Sequence, residues 1–255
     1  MKLAMTRAVS PTIARCELTH LARQTIDPEL AQEQHHGYES CLTGLGCELL
    51  RLPPEPDLPD SVFVEDTAVV LDEVAILTRP GAASRRPEVA SVAEALRPYR
   101  SLATIEPPGT LDGGDVLVLG RTIFVGLSGR TDARGIDGIR QISSSFGYEV
   151  RAVPFSGCLH LKSAVTRVSE DAVLINPGWV DLHVFAAYDR IEIDPSEPFA
   201  ANALLAWGTV VYPAAFPKSL RRLEARRIQC VTVDVSELAK AEGAVTCCSL
   251  LLDVR

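Results

Sequence analysis

Two neighbouring thiols near the end of the chain, Cys247 and Cys248, and a histidine near its middle, His160, are the residues best suited to covalent chemistry. A thiolate can attack an electrophilic carbon while an imidazole, oriented by a carboxylate, moves the protons, and Asp112 is one of several acids in the chain. Each residue alone is more often a core cysteine, a surface histidine or a turn aspartate. They make a nucleophilic site only if the fold brings them together.

The same residue types also suit a metal. Sulfur and nitrogen ligands for zinc are offered by Cys158, His160, Cys247 and Cys248. Neither the C-x-H nor the C-C spacing is usual for structural zinc. Because the run GAVTCCSLL has strand character, its two thiols are predicted to point to opposite faces, one toward a site and the other into the core. We therefore expect no metal at these residues.

Carboxylates are concentrated in one short stretch, LPDSVFVEDTAVV, which contains Asp60, Glu65 and Asp66. Several buried carboxylates are costly unless a cation joins them, and a planar guanidinium suits them because its N–H donors pair with carboxylates in a bidentate way. Arg85 and Arg130 each lie between a strand and a helix, where they could clamp a carboxylate. These residues favour an amino acid with a guanidino tail as substrate, against the alternative of ordinary turn and helix-start residues.

The elements that must position these residues form a repeat. Four segments share one order, a polar motif followed by two strands, a helix and a third strand. Their motifs are marked by Asp66, Asp115, Lys162 and Asn202, at intervals of about 40 to 50 residues, which is typical of repeated supersecondary units. The pattern predicts a ββαβ unit. The alternative is a two-layer α/β sheet without symmetry.

The two chain ends complete a fifth unit. TCCSLLLDV resembles a first strand and KLAMTRAV a second, and they are followed by the helix PELAQEQHHGYESCLTGLG and the strand CELLRLPP. A repeat split between the termini is how a radial propeller closes without an open edge. Fivefold pseudosymmetry would bring the polar motifs to a common axis. The repeat places Cys248 at the marker position and Cys247 one residue earlier, and it does not choose between them.

Charge and composition exclude several classes of function. The chain has 255 residues, with 33 acidic and 25 basic side chains and a net charge of −8. It therefore lacks the basic footprint of a protein that binds nucleic acid or an anionic membrane. The N-terminus has no apolar signal region and no stretch approaches the roughly 18 apolar residues of a membrane span. We expect a cytoplasmic protein, in which scattered cysteines do not form a disulfide framework.

Seven linked motifs carry a family resemblance along almost the whole chain: LPDSVFVEDTAVV, ILTRPGAASRRPEV, TLDGGDVL, FVGLSGRT, LHLKS, AAN and TCCSLL. Together they resemble the dimethylarginine dimethylaminohydrolases of the guanidine-modifying pentein superfamily. The resemblance implies a single domain over residues 1–255, folded as a fivefold pseudosymmetric α/β propeller. It also implies hydrolysis of Nω-methylated arginines to citrulline and dimethylamine or methylamine without a cofactor, and it is compatible with a homodimer.

The resemblance also implies a role for each matching residue. Cys247 matches the nucleophile and His160 the general acid and base, whereas Cys248 is left as a core residue. Asp112 matches the acid that orients the histidine, although relatives with EAGD have Glu there. The shorter side chain puts that hydrogen bond in question.

The predicted substrate contacts follow from the same motifs. Asp60 and Asp66 match residues that hold the guanidinium, and Glu65 matches a neighbouring acid of the substrate site. Arg85 and Arg130 match the clamp for the substrate α-carboxylate. The backbone carbonyls that hold the α-ammonium group are matched by Leu18, in a loop expected to act as a lid, and by Ala241.

Two other functions remain open at this point. An arginine deiminase acting on free arginine shares the chemistry, but it usually carries an extra helical insertion for which this chain has no room. A non-enzymatic pentein-like binding protein would be expected to lack the cysteine, histidine or acid, and all three are present.

Overall fold

Five three-stranded β-sheets make up the fold, which the computed structural model describes for residues 1–254. The strands are β1 Lys2–Arg7, β2 Glu48–Leu52, β3 Ala68–Val70, β4 Val74–Leu77, β5 Ser101–Thr104, β6 Val116–Leu119, β7 Thr122–Leu127, β8 Glu149–Pro154, β9 Val165–Arg167, β10 Ala172–Ile175, β11 Asp189–Glu192, β12 Leu204–Ala206, β13 Thr209–Pro213, β14 Cys230–Val233 and β15 Leu250–Asp253. The α-helices are α1 Pro28–Gly44, α2 Glu88–Leu96, α3 Ala133–Ser144, α4 Leu161–Ala164, α5 Pro217–Ala225 and α6 Ser236–Ala239. Short 3₁₀ helices cover Ile13–Arg15, Val64–Thr67, Ala83–Arg85, Gly113–Asp115 and Leu182–Phe185.

All five sheets have the same topology, as the repeat predicted. The first two strands of each sheet are antiparallel, and the third lies parallel to the second. A parallel neighbour needs a crossover connection, and α1, α2, α3 and α5 supply it in four units. The remaining unit, the third (β9–β11), crosses over through the 3₁₀ helix Leu182–Phe185 instead of an α-helix. The ββαβ unit is confirmed.

The chain termini close the fifth sheet. β15 pairs antiparallel with β1, with Leu252 opposite Leu3, and β1 pairs parallel with β2. Asp27 caps the crossover helix α1 by accepting hydrogen bonds from the backbone N–H groups of Glu29 and Leu30. The predicted fifth unit is therefore present, and no sheet of the described residues is left incomplete at the chain ends.

The hydrophobic core lies between neighbouring sheets. Met5 of β1 packs in one cluster with Ala75 of β4, and Ile76 of β4 packs with Val125 of β7 in the next. The remaining clusters continue in the same way until β12 and β13 pack against α1 and the fifth sheet. Each sheet thus buries its apolar face against the next sheet around a ring.

The first strands of the five units, β3, β6, β9, β12 and β15, surround the axis. They line a central cavity of about 260 Å³, to which all five contribute. The propeller predicted from the repeat is confirmed by this arrangement. None of the helices in the described chain is long and apolar enough to cross a membrane.

The polar motifs lie one turn before the strands that they were predicted to open. One-turn helices precede β3, β6 and β9, and Cys247 and Cys248 lie in a turn before β15, which begins only at Leu250. The prediction that the two thiols lie in a strand is therefore wrong. The run looked like a strand because Val245 and Cys248 are buried apolar side chains, a pattern that a buried turn shares.

Candidate active site

Seven of the predicted site residues line one small cavity of about 20 Å³ at the end of the propeller where these turns meet. They are Asp60, Asp66, Arg85, Arg130, His160, Ala241 and Cys247. Three different units and the chain segment before β15 contribute these seven residues. The convergence predicted from the repeat is thus found in the structure.

Cys247 faces this cavity from the turn before β15. Its carbonyl oxygen accepts a hydrogen bond from the backbone N–H of Glu65 at 3.1 Å, which fixes the turn against the neighbouring unit. Burial raises the pKa of the Cys247 thiol to about 12, and the carboxylates of Glu65 and Asp66 add to the effect. The thiol is therefore protonated in the empty site at neutral pH.

Cys248 points away from the cavity. Its side chain is fully buried in the core beside α1, and its Sγ donates to the carbonyl oxygen of Ala244 at 3.4 Å. The predicted division of the pair is found, although a turn rather than a strand produces it.

His160 immediately precedes α4 and is held between two carboxylates. Its Nε2 lies 3.1 Å from Oδ2 of Asp112, and its Nδ1 lies 3.7 Å from Oδ1 of Asp66. Burial lowers the pKa of His160, but Asp66, Asp112 and Asp115 outweigh it and raise the value to about 9. The imidazole is therefore charged at neutral pH.

Asp112 reaches His160 directly despite its short side chain. Its other oxygen, Oδ1, accepts from the backbone N–H of Gly81 at 2.8 Å, and its own N–H donates to the hydroxyl of Thr131. The carboxylate is completely buried. The question raised by the missing Glu is answered, because the fold places Asp112 close enough to bond.

Two glycines of the GGD motif allow this close packing. A Cβ on Gly114 would lie 2.5 Å from Nδ1 of His160 and 2.8 Å from Oδ1 of Asp66, and one on Gly113 would lie 1.9 Å from the carbonyl oxygen of Glu65. The N–H of Gly114 also donates to Asp66 Oδ1 at 2.9 Å. The sequence reading treated this motif only as a turn with an acid, so it missed the role of both glycines.

Asp66 and Arg85 form a buried ion pair beside the cavity. Nη1 of Arg85 lies 2.5 Å from Asp66 Oδ2, and its Nε and Nη2 bind the carboxylate of Glu88. Nη2 also donates to the carbonyl oxygens of Asp60 and Phe63. Burial opposes ionisation of Asp66, but His160 and Arg85 dominate and lower its pKa to about 2. In the empty site Arg85 therefore holds the acidic residues in place, and its role in a carboxylate clamp stays a prediction.

Asp60 and Arg130 contact the irregular segment between the 3₁₀ helix Ile13–Arg15 and α1, which we call the lid loop (residues 16–27). Asp60 Oδ2 accepts from the N–H of Glu17 at 3.1 Å, and Arg130 Nη2 donates to the Thr19 hydroxyl at 3.0 Å. Burial raises the pKa of Asp60, which Arg85 partly offsets. Arg130 is half-buried, and no other side-chain partner of its guanidinium is found in the described residues.

The two predicted ammonium acceptors occupy different environments. Ala241 is buried and lines the cavity, whereas Leu18 lies in the lid loop with a half-buried side chain that packs on the core beside α1. Leu18 itself is not part of the cavity wall. Its predicted role depends on its backbone carbonyl.

Glu65 lies beneath the site, at the end of the central cavity. Its Oε1 is 2.5 Å from Nζ of Lys162, and its Oε2 accepts from the Thr246 hydroxyl at 2.8 Å. Thr246 also accepts a hydrogen bond from Asn202. The structure thus places the Glu65 carboxylate in a polar floor under Cys247 and not in the cavity wall, so contact with substrate stays a prediction.

One group of side chains has the geometry for a metal ion. Ligand atoms of Asp66, Asp112 and His160 lie within 4.8 Å of one another. The cysteines of the predicted zinc alternative do not join them in the described residues, and Cys158 is buried with its Sγ donating to the His160 carbonyl oxygen. All seven cysteines are free thiols.

The family comparisons agree with this geometry. A family model for the eukaryotic N,N dimethylarginine dimethylhydrolases matches residues 17–184. The N(G),N(G)-dimethylarginine dimethylaminohydrolase of Streptomyces coelicolor is 43% identical, over 98% of this chain and 97% of that protein. Its counterpart in Pseudomonas aeruginosa is 33% identical, over 91% of each chain.

Solved structures give the same picture. A cysteine-to-serine variant of the Pseudomonas aeruginosa enzyme in complex with citrulline superposes with a TM-score of 0.93 at 30% identity, covering 98% of both chains. The N-terminal domain of the arginine dihydrolase ArgZ from cyanobacteria superposes with a TM-score of 0.84 at 16% identity, over 98% of both chains, which shows a shared fold. The arrangement of thiol, imidazole and acids and these similarities lead to one conclusion: the chain belongs to the dimethylarginine dimethylaminohydrolase family of hydrolases.

Proposed function

We propose that this protein hydrolyses Nω-methylated arginines to citrulline and dimethylamine or methylamine, with Cys247 as the nucleophile. The observation that carries the proposal is the common cavity wall formed by Cys247, His160 and Asp66. A guanidinium is the substrate group that suits this wall, because its N–H donors can pair with the carboxylates of Asp60 and Asp66 that border the cavity.

Substrate binding prepares the nucleophile. Asp66 is ionised at neutral pH and Asp60 lies beside it, so both can pair with the planar guanidinium and keep it charged. The positive charge opposes the field of the carboxylates, which lowers the pKa of Cys247 from its value in the empty site. The thiol proton is released to water, and the thiolate attacks the central guanidinium carbon.

His160 then supplies and recovers a proton. The charged imidazole protonates the departing amine as the tetrahedral adduct collapses, which leaves a cationic thiouronium bonded to Cys247. The neutral imidazole takes a proton from water as the water attacks this carbon. The C–S bond then breaks, the hydroxyl proton of the adduct passes through water to the leaving sulfur, and citrulline leaves with the Cys247 thiol restored. Asp112 keeps the ring oriented throughout.

The remaining substrate groups have partners nearby. Arg130, with free N–H donors at the cavity wall, binds the α-carboxylate, and Arg85 supports it from the buried side. The carbonyl groups of Leu18 and Ala241 accept from the α-ammonium. We further propose that residues 1–255 act as one cytoplasmic catalytic domain, without nucleic acid or membrane partners and without a cofactor, and that two copies form a homodimer.

Citrulline formation tests the proposal. Purified protein and its Cys247→Ser variant are incubated separately with asymmetric dimethylarginine, monomethylarginine and arginine. We expect citrulline from the methylated substrates with the unaltered protein and none with the variant. Absence of citrulline from all three would refute the hydrolase function, and citrulline from arginine alone would indicate a deiminase.

A further inference from the structure

One carboxylate holds three consecutive backbone N–H groups of the lid loop. Glu242 accepts from Thr19 at 2.9 Å, from His20 at 2.5 Å and from Leu21 at 2.6 Å. Charge-assisted hydrogen bonds of this length are strong ones. Glu242 therefore joins the lid loop to the segment after α6, and it has no part in the reaction derived above.

The backbone at Glu242 is unusual. Its φ is +60°, in the left-handed region where a side chain other than that of glycine is uncommon. Such a conformation persists only where its surroundings determine it, and here it aims the carboxylate at the lid loop. The strain and the three hydrogen bonds are independent signs that the position is specified.

Two of the other contacts of the lid loop near the cavity use predicted substrate-binding groups, and in a third the Ser84 hydroxyl donates to the Glu17 carboxylate at 2.7 Å. Asp60 holds the N–H of Glu17, and Arg130 holds the Thr19 hydroxyl. Both side chains are needed by the proposed substrate, Asp60 for the guanidinium and Arg130 for the carboxylate. Glu242 is not assigned to the guanidinium or to the carboxylate of the substrate, so its contacts with the loop can persist when substrate is bound.

Apolar packing holds one part of the loop and leaves another open. Leu18 packs on the core beside α1, whereas His20 and Leu21 line a second cavity of about 430 Å³ together with Leu159, Phe216 and Val235. Beside this cavity the backbone of the loop is held by Glu242. Farther along the loop, Lys240 binds the Thr25 carbonyl oxygen at 3.1 Å, but that contact is remote from Leu18 in sequence.

We propose that Glu242 is a positioning residue that fixes the lid loop and thereby sets the Leu18 carbonyl beside that of Ala241. Thr19 directly follows Leu18, and Glu242 directly follows Ala241, so the hydrogen bond between them links the two predicted ammonium acceptors. The inference rests on the proposed function. Glu242 borders the cavity itself, but both of its carboxylate oxygens are engaged by the N–H groups of the loop, so it acts on recognition of the α-ammonium group through the loop.

Kinetics with two substrates test this role. We expect Glu242→Ala to raise KM for asymmetric dimethylarginine about tenfold, with kcat changed less than about threefold, because lost charged hydrogen bonds weaken positioning. The desamino analogue keeps the guanidinium and carboxylate but lacks the ammonium. For this analogue the rise in log KM caused by Glu242→Ala should be less than half as large as for asymmetric dimethylarginine. Equal losses for both substrates, or no loss for either, would overturn the proposal.

The control variants separate positioning from stability. Glu242→Gln keeps an acceptor oxygen and should recover part of the KM. Glu197 also accepts from two backbone N–H groups, those of Lys218 and Ser219, but lies outside both the cavity wall and the lid loop. Glu197→Ala should leave KM unchanged, and a rise equal to that of Glu242→Ala would contradict a specific role for Glu242.

Limited trypsin digestion tests whether Glu242 holds the lid loop, and it does not depend on enzymatic activity. The exposed Arg23 offers a cleavage site within the lid loop. We expect cleavage there to be at least about tenfold faster in Glu242→Ala than in the unaltered protein, since the open loop becomes more populated. Unchanged cleavage would contradict the proposal that Glu242 holds the lid loop, even if the protein is active. Accelerated cleavage would support that proposal even if no citrulline is formed.

Discussion

The backbone N–H of Glu65 donates to the carbonyl oxygen of Cys247 at 3.1 Å, which joins the turn before β3 to the turn before β15. These turns belong to neighbouring units whose first strands, β3 and β15, contact each other around the axis. Because Asp66 follows Glu65, the same contact brings the acid that we propose binds the guanidinium close to the thiol. The site is thus assembled by contacts between units, and the fold must close before it exists.

The two thiols are predicted to respond differently to substitution by serine. Cys247→Ser should lower turnover of asymmetric dimethylarginine by about 10³-fold or more, because a hydroxyl is a far weaker nucleophile at neutral pH. Cys248→Ser should keep turnover within about threefold but lose about 1–3 kcal/mol of unfolding free energy through burial of a hydroxyl. Citrulline assays and urea unfolding measure the two effects, and loss of turnover only in Cys248→Ser would mean that the nucleophile was assigned to the wrong residue.

Asp112→Asn should change the pH dependence of the reaction. Burial lowers the pKa of His160 and the carboxylates raise it to about 9, so removal of one carboxylate moves the value down. In the unaltered protein the rate constant kcat/KM should rise with pH up to about 9, where His160 loses the proton that it gives to the amine. In Asp112→Asn this upper break should occur at lower pH and the maximal rate should fall about 10²-fold or more. An unchanged break would show that Asp112 does not set the ionisation of His160.

Gly114→Ala should impair catalysis through packing. The added methyl would lie 2.5 Å from Nδ1 of His160, so the ring must move from its position against Asp112. A displacement of a catalytic group by about 1 Å can lower the rate about 10²-fold, so we expect a loss of this order. Gly37→Ala, in α1, is the matched control because a Cβ there meets no atom within 4 Å, and its activity should be unchanged. Full activity of Gly114→Ala would show that the ring tolerates the shift.

Sequence reasoning located the site well because the fold repeats. The register of Asp66, Asp115, Lys162 and Asn202 predicted which turns meet at the axis, and the structure places each marker just before a first strand. The family motifs then chose Cys247 over Cys248. Both inferences depend on local order along the chain, which the sequence displays directly.

Contacts between distant segments were beyond that reasoning. Nothing in the local sequence shows that Arg85 spends its donors on Asp66 and Glu88, or that Glu65 turns toward Lys162. The anchoring of the lid loop by Glu242 was missed for the same reason. Apart from the i,i+3 pair of Arg85 with Glu88, each contact joins segments that lie far apart in the chain, so its geometry follows only from the folded structure.

Substitution of the two predicted clamp residues, Arg130 and Arg85, should have different effects on KM and on stability. Arg130→Ala should raise KM about 10- to 100-fold with normal stability, because the half-buried side chain loses only Thr19 and a substrate carboxylate. Arg85→Ala should lose about 3–5 kcal/mol of unfolding free energy, since Asp66 and Glu88 lose the buried guanidinium that both contact. Steady-state kinetics and urea unfolding distinguish them. A normal KM in Arg130→Ala would exclude it from the clamp.

The ion pair between Glu65 and Lys162, under Cys247, can be tested with a double variant as its control. Lys162→Met leaves the Glu65 carboxylate buried without its cation and should cost about 3–5 kcal/mol of unfolding free energy at neutral pH. Burial already raises the pKa of Glu65, and loss of Lys162 raises it further, so the folded variant binds a proton that the unfolded chain does not. The stability that such a group contributes is present at low pH and is lost as pH rises. The loss of unfolding free energy caused by Lys162→Met should therefore become smaller as the pH falls toward the ordinary pKa of a glutamic acid. The double variant Glu65→Gln with Lys162→Met removes both charges and should recover most of the loss at neutral pH. Urea unfolding across pH measures this, and a deficit that is independent of pH would mean that Lys162 acts through packing instead of charge.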